Sequence, residues 1–271
     1  MTDRLPGCET LLLERSGSTL FLTFNRPHVR NALNAQMWGE IDAVFAAISD
    51  DRSIRVVVLR GAGGTFSAGA DISERSSLRD GVSGNDAVAA RNRRGGEILA
   101  RIDKASQAVV AVVEGYALGG GFGLVCVADV AIAAASARFG LPEVSLGLAP
   151  AQIVPFLLRR IGAAELRRIA VMAGRIDASE ALRIGIVHEV GADSWAVDEK
   201  LAKVLEQIDR AAPNAIAAAK QLIAMAEIMP EDDMLDRASR ILTQLAMSPE
   251  GVEGATAFKE KRAPNWRTST T

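Results

Sequence analysis

Residues 108–123 read Ala108-Val-Val-Ala-Val-Val-Glu-Gly-Tyr-Ala-Leu-Gly-Gly-Gly-Phe-Gly123, and this stretch decides the class of fold. Its first six residues are all apolar and mostly β-branched, a run typical of a strand that is covered on both faces. The three consecutive glycines predict a tight turn, and the apolar residues after them predict a short helix. A buried strand that leads into a helix indicates an α/β architecture.

The pattern around this stretch alternates strands with helices and then becomes nearly all helical. Further strands are predicted at Thr19–Phe24, 55–60 and 129–133, and helices at 34–48 and 86–102. C-terminal helices are predicted after the capping box at 177–180 and over 194–210, 213–228, 231–247 and 249–262. The polar, Gly/Ser-rich segment 73–95 is interpreted as a loop of the length that active-site lids have.

Composition excludes several classes of function. The 271 residues carry a formal net charge of −2, so the chain lacks the basic footprint of a nucleic-acid-binding protein. Two cysteines (Cys8 and Cys126) and two histidines (His28 and His188) are too few for a disulfide framework and argue against a zinc site. No apolar stretch has the length of a membrane span, and the N-terminus has no apolar signal region. A cytoplasmic protein with no metal and no membrane partner is therefore expected.

Two glycine-rich turns follow two of the predicted buried strands, at 61–72 and at 119–123. Neither matches the dinucleotide-binding fingerprint or the P-loop. Glycines let a backbone approach a ligand closely, and two such turns at adjacent strand ends would aim two N–H donors at one oxygen atom. That arrangement is an oxyanion hole. The alternative is that the glycines only make tight turns between strands and helices.

Glu143 is the candidate for acid–base chemistry. It ends the stretch Phe139-Gly-Leu-Pro-Glu143, and Leu141, Val144, Leu146 and Leu148 stand close to it in the chain. Desolvation by apolar neighbours raises the pKa of a carboxyl group and suits it to proton transfer. The alternative is an ordinary solvated glutamate in a loop.

Four motifs occur in a fixed order: Asn25-Arg-Pro-x-x-x-Asn31-Ala-Leu33, Phe66-Ser-Ala-Gly-Ala-Asp-Ile72, Gly115-Tyr-Ala-Leu-Gly-Gly-Gly121 and Phe139-Gly-x-Pro-Glu143. Together they resemble the crotonase family, the enoyl-CoA hydratases and isomerases. The resemblance implies a crotonase-type spiral of ββα units over 1–205, which holds the active site. It also implies an α-helical C-terminal oligomerisation region over 206–271 that forms homotrimers or dimers of trimers.

The resemblance further implies an acyl-CoA thioester as the substrate, with no cofactor besides the coenzyme A of that substrate. Carried over by position, the N–H groups of Ala68 and Gly120 hold the thioester oxygen, and Glu143 transfers the proton. The positions implied to bind the substrate are Ala68, Ala70, Asp71, Ile72, Gly123, Phe258 and Lys261. Phe258 and Lys261 are implied to reach the coenzyme of a neighbouring subunit, and the alternative for them is a solvated cationic helix end.

The sequence departs from the family pattern at Gly123, where enoyl-CoA hydratases carry the first of two glutamates. Losing a positioned carboxylate is expected to cost about 10²–10⁴ in rate, and a glycine there is expected to leave space and remove a charge. The stretch Leu146-Gly-Leu-Ala-Pro-Ala-Gln-Ile-Val-Pro-Phe156, with Gly-Phe-Gly at 121–123, resembles the branch that hydrates isohexenylglutaconyl-CoA and methylglutaconyl-CoA.

These observations lead to one principal hypothesis and two alternatives. The principal hypothesis is a hydratase, a lyase that adds water across the double bond of a branched enoyl-CoA bearing a carboxylate. A Δ3,Δ2-enoyl-CoA isomerase is an alternative, because moving one proton requires a single glutamate at the position of Glu143. The other alternative is a non-catalytic protein with the same fold that binds acyl-CoA.

Overall fold

The computed structural model describes residues 5–74 and 85–267. The strands in these ranges are β1 Leu11–Ser16, β2 Thr19–Phe24, β3 Val56–Gly61, β4 Ala108–Val113, β5 Tyr116–Leu118, β6 Val130–Ala134, β7 Arg138–Gly140, β8 Arg175–Asp177 and β9 Glu189–Gly191. The α-helices are α1 Ala35–Ala47, α2 Asn85–Asp103, α3 Gly120–Cys126, α4 Val154–Met172, α5 Ala178–Arg183, α6 Ser194–Arg210, α7 Pro213–Ala226, α8 Glu231–Ala246 and α9 Pro249–Glu260.

The strands form two sheets. The larger sheet has the order β1-β2-β3-β4-β6-β9, in which β1 and β2 form an antiparallel hairpin and the other neighbours are parallel. The smaller sheet has the order β5-β7-β8. Because β5 and β7 follow directly after β4 and β6 along the chain, the small sheet begins where the parallel strands of the large sheet end.

The apolar run of β4 is buried on both faces, as the sequence indicates. Val109, Ala111 and Val113 join the core cluster formed with α1 and α2, and Val110 and Val112 join a second cluster formed with α6. Alternate side chains of a strand point to opposite faces of the sheet, so a strand between two layers needs an apolar residue at every position.

Most of the predicted elements are confirmed. Thr19–Phe24 and Ala108–Val113 have the predicted bounds, and the strand predicted at 55–60 begins one residue later. The six-residue strand β1 and the short strands β5, β7, β8 and β9 were not predicted; the last four have three residues each, too few to carry a detectable periodicity. The helix predicted at 86–102 is confirmed as α2, so the loop predicted over 73–95 is wrong from residue 85 onward, and residues 75–84 lie outside the described part of the chain.

The last three helices lie on the outside of the molecule. Lys220 of α7 forms an ion pair with Asp129 at 2.7 Å, and Arg159 of α4 forms one with Glu227 at 3.3 Å, so α7 is tied to the body of the protein. None of the residues of α7, all of which are described, is buried. The predicted boundary after residue 205 falls inside α6, and the first break between helices after it lies at 211–212.

Candidate active site

The turn after β3 lies against β5 through backbone hydrogen bonds. The N–H of Phe66 donates to the carbonyl oxygen of Glu114 (2.9 Å), the N–H of Ser67 to that of Tyr116 (2.8 Å), and the N–H of Leu118 to that of Ser67 (3.0 Å). These bonds extend a parallel pairing beyond the end of the sheet. They bring the two glycine-rich turns predicted from the sequence next to each other.

The two turns lie against each other at Gly69 and Gly119. A β-carbon on Gly69 would lie 2.9 Å from the carbonyl oxygen of Leu118, and a β-carbon on Gly119 would lie 3.9 Å from the Cα of Gly69. Both glycines have positive φ, at +90° and +49°. Because only glycine tolerates this combination of φ and close approach, the sequence Gly69-Ala70 can lie beside Gly119-Gly120.

The backbone N–H groups of these turns differ in whether they already have an acceptor. The N–H of Ala68 donates to the carbonyl oxygen of Arg30 at 2.9 Å, so it is used within the fold. Within the described residues, neither the N–H of Ala70 nor that of Gly120 donates a hydrogen bond, and Ala70 is exposed. The prediction that Ala68 supplies an oxyanion-hole donor is corrected accordingly, because a donor bound to the protein's own carbonyl is not available to a ligand.

Glu143 lies beside this pair of turns. It begins a short 3₁₀ turn, Glu143–Leu146, three residues after β7, and the N–H of Gly119 donates to the carbonyl oxygen of Gly140 at 3.0 Å. Glu143 is half-buried as a whole residue, its Oε2 atom is buried, and its Oε1 atom would be 2.7 Å from a β-carbon on Gly119. The structure therefore places Glu143 at Gly119, the residue that precedes Gly120.

The apolar neighbours of Glu143 in the chain do not all surround it. Leu141 is fully buried, whereas Val144, Leu146 and Leu148 are 40–53% exposed. The apolar character of this loop therefore lies partly on the surface, because the 3₁₀ turn carries those side chains outward.

Position 123 is filled from another part of the chain. A β-carbon on Gly123 would lie 2.6 Å from the Cγ2 of Ile153 and 3.3 Å from the Cδ1 of Leu99. Gly123, Ile153 and Leu99 are all buried. The expectation that Gly123 leaves space is wrong, since Ile153 occupies the volume that a side chain at 123 would need.

Two more side chains at the site were missed by sequence reasoning. A β-carbon on Gly120 would lie 3.0 Å from the Cδ1 of Leu33 and 3.3 Å from the Cζ2 of Trp38. Leu33 belongs to one of the quoted motifs, which is a signal that points to the site, but nothing in the sequence distinguishes Trp38 from a core residue of α1.

Asp71 stabilises the turn after β3 through hydrogen bonds. Its carboxylate accepts hydrogen bonds from the Ser73 hydroxyl (2.6 Å) and from Arg26 (2.8 Å). The bond from Ser73, together with Arg26, holds the pKa of Asp71 below its usual range even though partial burial opposes this. The neighbouring Ile72 is 65% exposed, so a ligand at this turn has access to Ile72 and to the backbone rather than to the Asp71 carboxylate.

Phe258 and Lys261 lie at the end of α9, which packs on α8. The Phe258 side chain is 87% exposed, and Lys261 is exposed and ends the helix with φ at +53°. Among the described residues, no hydrogen bond or ion pair joins Phe258 or Lys261 to the turn that carries Glu143.

Other features of the described residues concern cavities, metal-binding clusters and membrane-spanning helices. A concavity of about 570 Å³ is lined by Glu114, Tyr116 and Arg138, among others, and its lining includes none of Ala70, Gly120 and Glu143. Across residues 5–74 and 85–267, no group of three or more metal-binding side chains is found. The described helices include none that is long and apolar enough to cross a bilayer.

A parallel sheet whose strand ends bring two glycine-rich turns and one glutamate side by side is the arrangement that defines the crotonase-type enzymes. The chain belongs to the enoyl-CoA hydratase/isomerase family, whose profile matches residues 14–269. It is thus an enoyl-CoA hydratase-type enzyme with the α/β crotonase fold and C-terminal helices, and the predicted family and fold class are confirmed.

Individual relatives agree with this assignment. AtuE of Pseudomonas aeruginosa superposes with a TM-score of 0.94 at 50% identity, over 96% of this chain and all of that chain. An enoyl-CoA hydratase/isomerase from Marinobacter aquaeolei superposes with a TM-score of 0.94 at 43% identity, over 96% of this chain and all of the other. The 2,3-dehydroadipyl-CoA hydratase of Escherichia coli is 32% identical over 95% of this chain and 98% of its own length.

Proposed function

We propose that this enzyme hydrates a branched enoyl-CoA that carries a carboxylate, of the isohexenylglutaconyl-CoA or methylglutaconyl-CoA type. The observation that carries the proposal is the placement of the Glu143 carboxylate at Gly119, next to the unused N–H of Gly120. Position 123, where a two-glutamate hydratase has its other carboxylate, holds a glycine covered by Ile153.

In the proposed reaction, the N–H groups of Ala70 and Gly120 donate to the thioester oxygen. As water adds to the β-carbon, the electron pair of the double bond moves toward the carbonyl, and negative charge develops on that oxygen. Two donors positioned in advance stabilise this charge, and each is worth about 10²–10³ in rate in comparable sites. Ala70 replaces Ala68 in this role because the N–H of Ala68 already binds Arg30.

Glu143 transfers the proton in this mechanism. Its carboxylate takes a proton from the attacking water while the oxygen–carbon bond forms at the β-carbon, and it returns the proton to the α-carbon as the enolate collapses. One group can act as base and then as acid because the same proton moves. The adduct is a 3-hydroxyacyl-CoA, and Glu143 is left ionised for the next turnover.

The branched, acidic substrate is supported by the departures from the family pattern. The stretch at 146–156 and Gly123 resemble the glutaconyl-CoA branch, and a glutamate at 123 would repel a second carboxylate in a dry site. We expect kcat/KM for a branched glutaconyl-CoA to exceed that for crotonyl-CoA by at least about a hundredfold. Equal values for the two substrates would contradict the proposed substrate class.

The Δ3,Δ2-isomerase is a second candidate, favoured by the single glutamate. The two reactions are distinguished by incubating the enzyme with each acyl-CoA and measuring the mass of the product. Hydration adds the mass of one water molecule, and isomerisation leaves the mass unchanged. Tight binding with no turnover of any enoyl-CoA would instead support a non-catalytic acyl-CoA-binding protein.

A homotrimer or dimer of trimers is part of the proposal. It is supported by the exposed apolar residues of the last three helices, whose partner we take to be a second copy of the chain. These residues, which lie in those helices or within two residues of their ends, are Ile223, Ile228, Leu235, Leu242, Met247, Val252 and Phe258. In such an assembly, Phe258 and Lys261 contact the coenzyme in a neighbouring subunit, and 206–271 forms the oligomerisation region. Light scattering on the purified protein tests the assembly, and a monomer at micromolar concentration would contradict it.

A further inference from the structure

Gly123 and Ile153 fit together as a matched pair of residues from separate elements. Gly123 lies in α3, and Ile153 immediately precedes α4. A β-carbon at 123 would stand 2.6 Å from the Cγ2 and 3.3 Å from the Cβ of Ile153. Such distances are shorter than van der Waals contact, and the Cγ2 methyl is attached directly to the branched Cβ, so Ile153 must move before position 123 can carry a side chain.

This pair lies one helical turn from the reacting groups. The N–H of Gly123 donates to the carbonyl oxygen of Gly119 at 3.0 Å, and Glu143 lies at Gly119. One turn advances about 5.4 Å along a helix, roughly the length of a short acyl branch. Leu99 of α2 adds a second hydrocarbon surface at the same point. Methyl groups of Ile153 and Leu99 therefore lie one helical turn from Gly119, the residue that Glu143 contacts.

We propose that Ile153 is a specificity-determining residue, which builds a hydrocarbon wall for an apolar branch on the carbon that receives water. This inference rests on the proposed function and names the part of the substrate that the wall recognises. The wall gains free energy from each buried methylene of a branch, whereas an unbranched substrate leaves it without a contact. By filling the volume at 123, Ile153 also excludes a second carboxylate side chain.

The first test compares kcat/KM for a branched glutaconyl-CoA and for crotonyl-CoA in the wild type and in Ile153→Ala. We expect the ratio of the two values to fall by at least about tenfold, mainly through KM of the branched ester, since a ground-state apolar contact is lost. Ile153→Val, which removes one methylene and costs little stability, should shift the ratio in the same direction by about twofold to threefold.

Ile169→Ala is the matched control. Ile169 lies in α4 itself, is 2% exposed and packs in the same core cluster. The Ile169→Ala variant should lower the melting temperature about as much as Ile153→Ala does. It should leave unchanged the ratio of kcat/KM for the branched ester to kcat/KM for crotonyl-CoA. A ratio that stays constant in both Ile153 variants, with the wild type preferring the branched ester, would overturn this inference and leave the proposed function intact.

A second test changes both residues of the Gly123–Ile153 contact. Gly123→Glu alone should be inactive or unstable, because its β-carbon collides with Ile153. Gly123→Glu combined with Ile153→Ala should hydrate crotonyl-CoA at least about tenfold faster than Ile153→Ala alone, since a second carboxylate then has space. No rescue in a folded double variant would count against Ile153 as the residue that excludes the carboxylate. A wild type without preference for the branched ester would overturn the proposed function and this inference together.

Discussion

The Oε1 atom of Glu143 lies so close to the backbone of Gly119 that a β-carbon there would be only 2.7 Å away. Gly119 has φ at +49°, and its N–H binds the carbonyl oxygen of Gly140. Two segments that are more than twenty residues apart in the chain are thus held in one fixed arrangement. The proposed general base and the proposed oxyanion donor at Gly120 share this arrangement.

Gly119→Ala should displace the Glu143 carboxylate. A methyl group at 119 requires the carboxylate to move by a fraction of an ångström to an ångström, and misplacement on this scale costs about a hundredfold in kcat. Gly17→Ala is the control, because Gly17 has φ at +57° with no atom within 4 Å of its β-carbon position. It carries the strain of a positive φ without touching the site. Comparable kcat in the two variants would contradict the proposed role of the Gly119–Glu143 contact.

Glu143→Gln should lower kcat by at least about a hundredfold and leave binding of coenzyme A nearly unchanged. The amide keeps the shape of the side chain but does not accept and return a proton. Glu114→Gln serves as the control: Glu114 is half-buried and bound to Ser194 and Arg60, and it lies outside the site. Near wild-type turnover by Glu143→Gln would remove Glu143 from the mechanism.

Gly120→Pro should lower kcat by about 10²–10³, since proline lacks the N–H that we assign to the thioester oxygen. Gly120 is the first residue of α3, a position where proline is tolerated in helices. Gly120→Ala places a β-carbon against Leu33 and Trp38 but keeps the N–H, so it should retain most of the activity. Equal activity in folded samples of both variants would refute the assignment.

Proline substitutions at 68 and 70 should have different effects. Ala68→Pro removes the hydrogen bond to Arg30 and should destabilise the fold by about 1–3 kcal/mol, because a carbonyl loses its donor. Ala70→Pro removes no hydrogen bond seen among the described residues, and it should lower kcat with a smaller change in melting temperature. Thermal unfolding and kcat measured on the same samples test this. The opposite pattern would return the donor role to Ala68.

Asp71→Asn should destabilise the protein by about 1–3 kcal/mol at neutral pH, as expected for lost hydrogen bonds to a charged group. The pKa of Asp71 is lower in the folded state than in the unfolded chain, where it is about 3.9. Its contribution is therefore complete above that value and is lost as the pH falls through the folded pKa. Urea unfolding of both proteins at pH 7 and near pH 3 should show the difference shrinking in acid; an equal difference at the two pH values would contradict the prediction.

The order of the strands and helices follows from the sequence because each is specified by local pattern. The run at 108–113 is apolar at every position, and Asp177 and Ser248 accept hydrogen bonds from the N–H groups of Glu180 and Gly251, as the capping signals predict. The sequence places residues 86–95 both in a polar loop and in a predicted helix, and the structure shows the helix. Three arginines and two asparagines make residues 85–95 polar, which favours a loop, but α2 is stabilised by packing of its second half, with Ile98, Leu99 and Ile102 buried.

The sequence by itself determined the family, the two glycine turns and Glu143, because these depend on residue types at short, fixed spacings. Only the tertiary structure decided which N–H groups are unused and what lies over Gly123. The N–H of Ala68 is taken by Arg30 and the space at Gly123 by Ile153, and each partner is about thirty or more residues away in the chain. Hydrogen bonding and steric exclusion act between atoms in space, so the availability of a donor or a cavity is set by the folded arrangement.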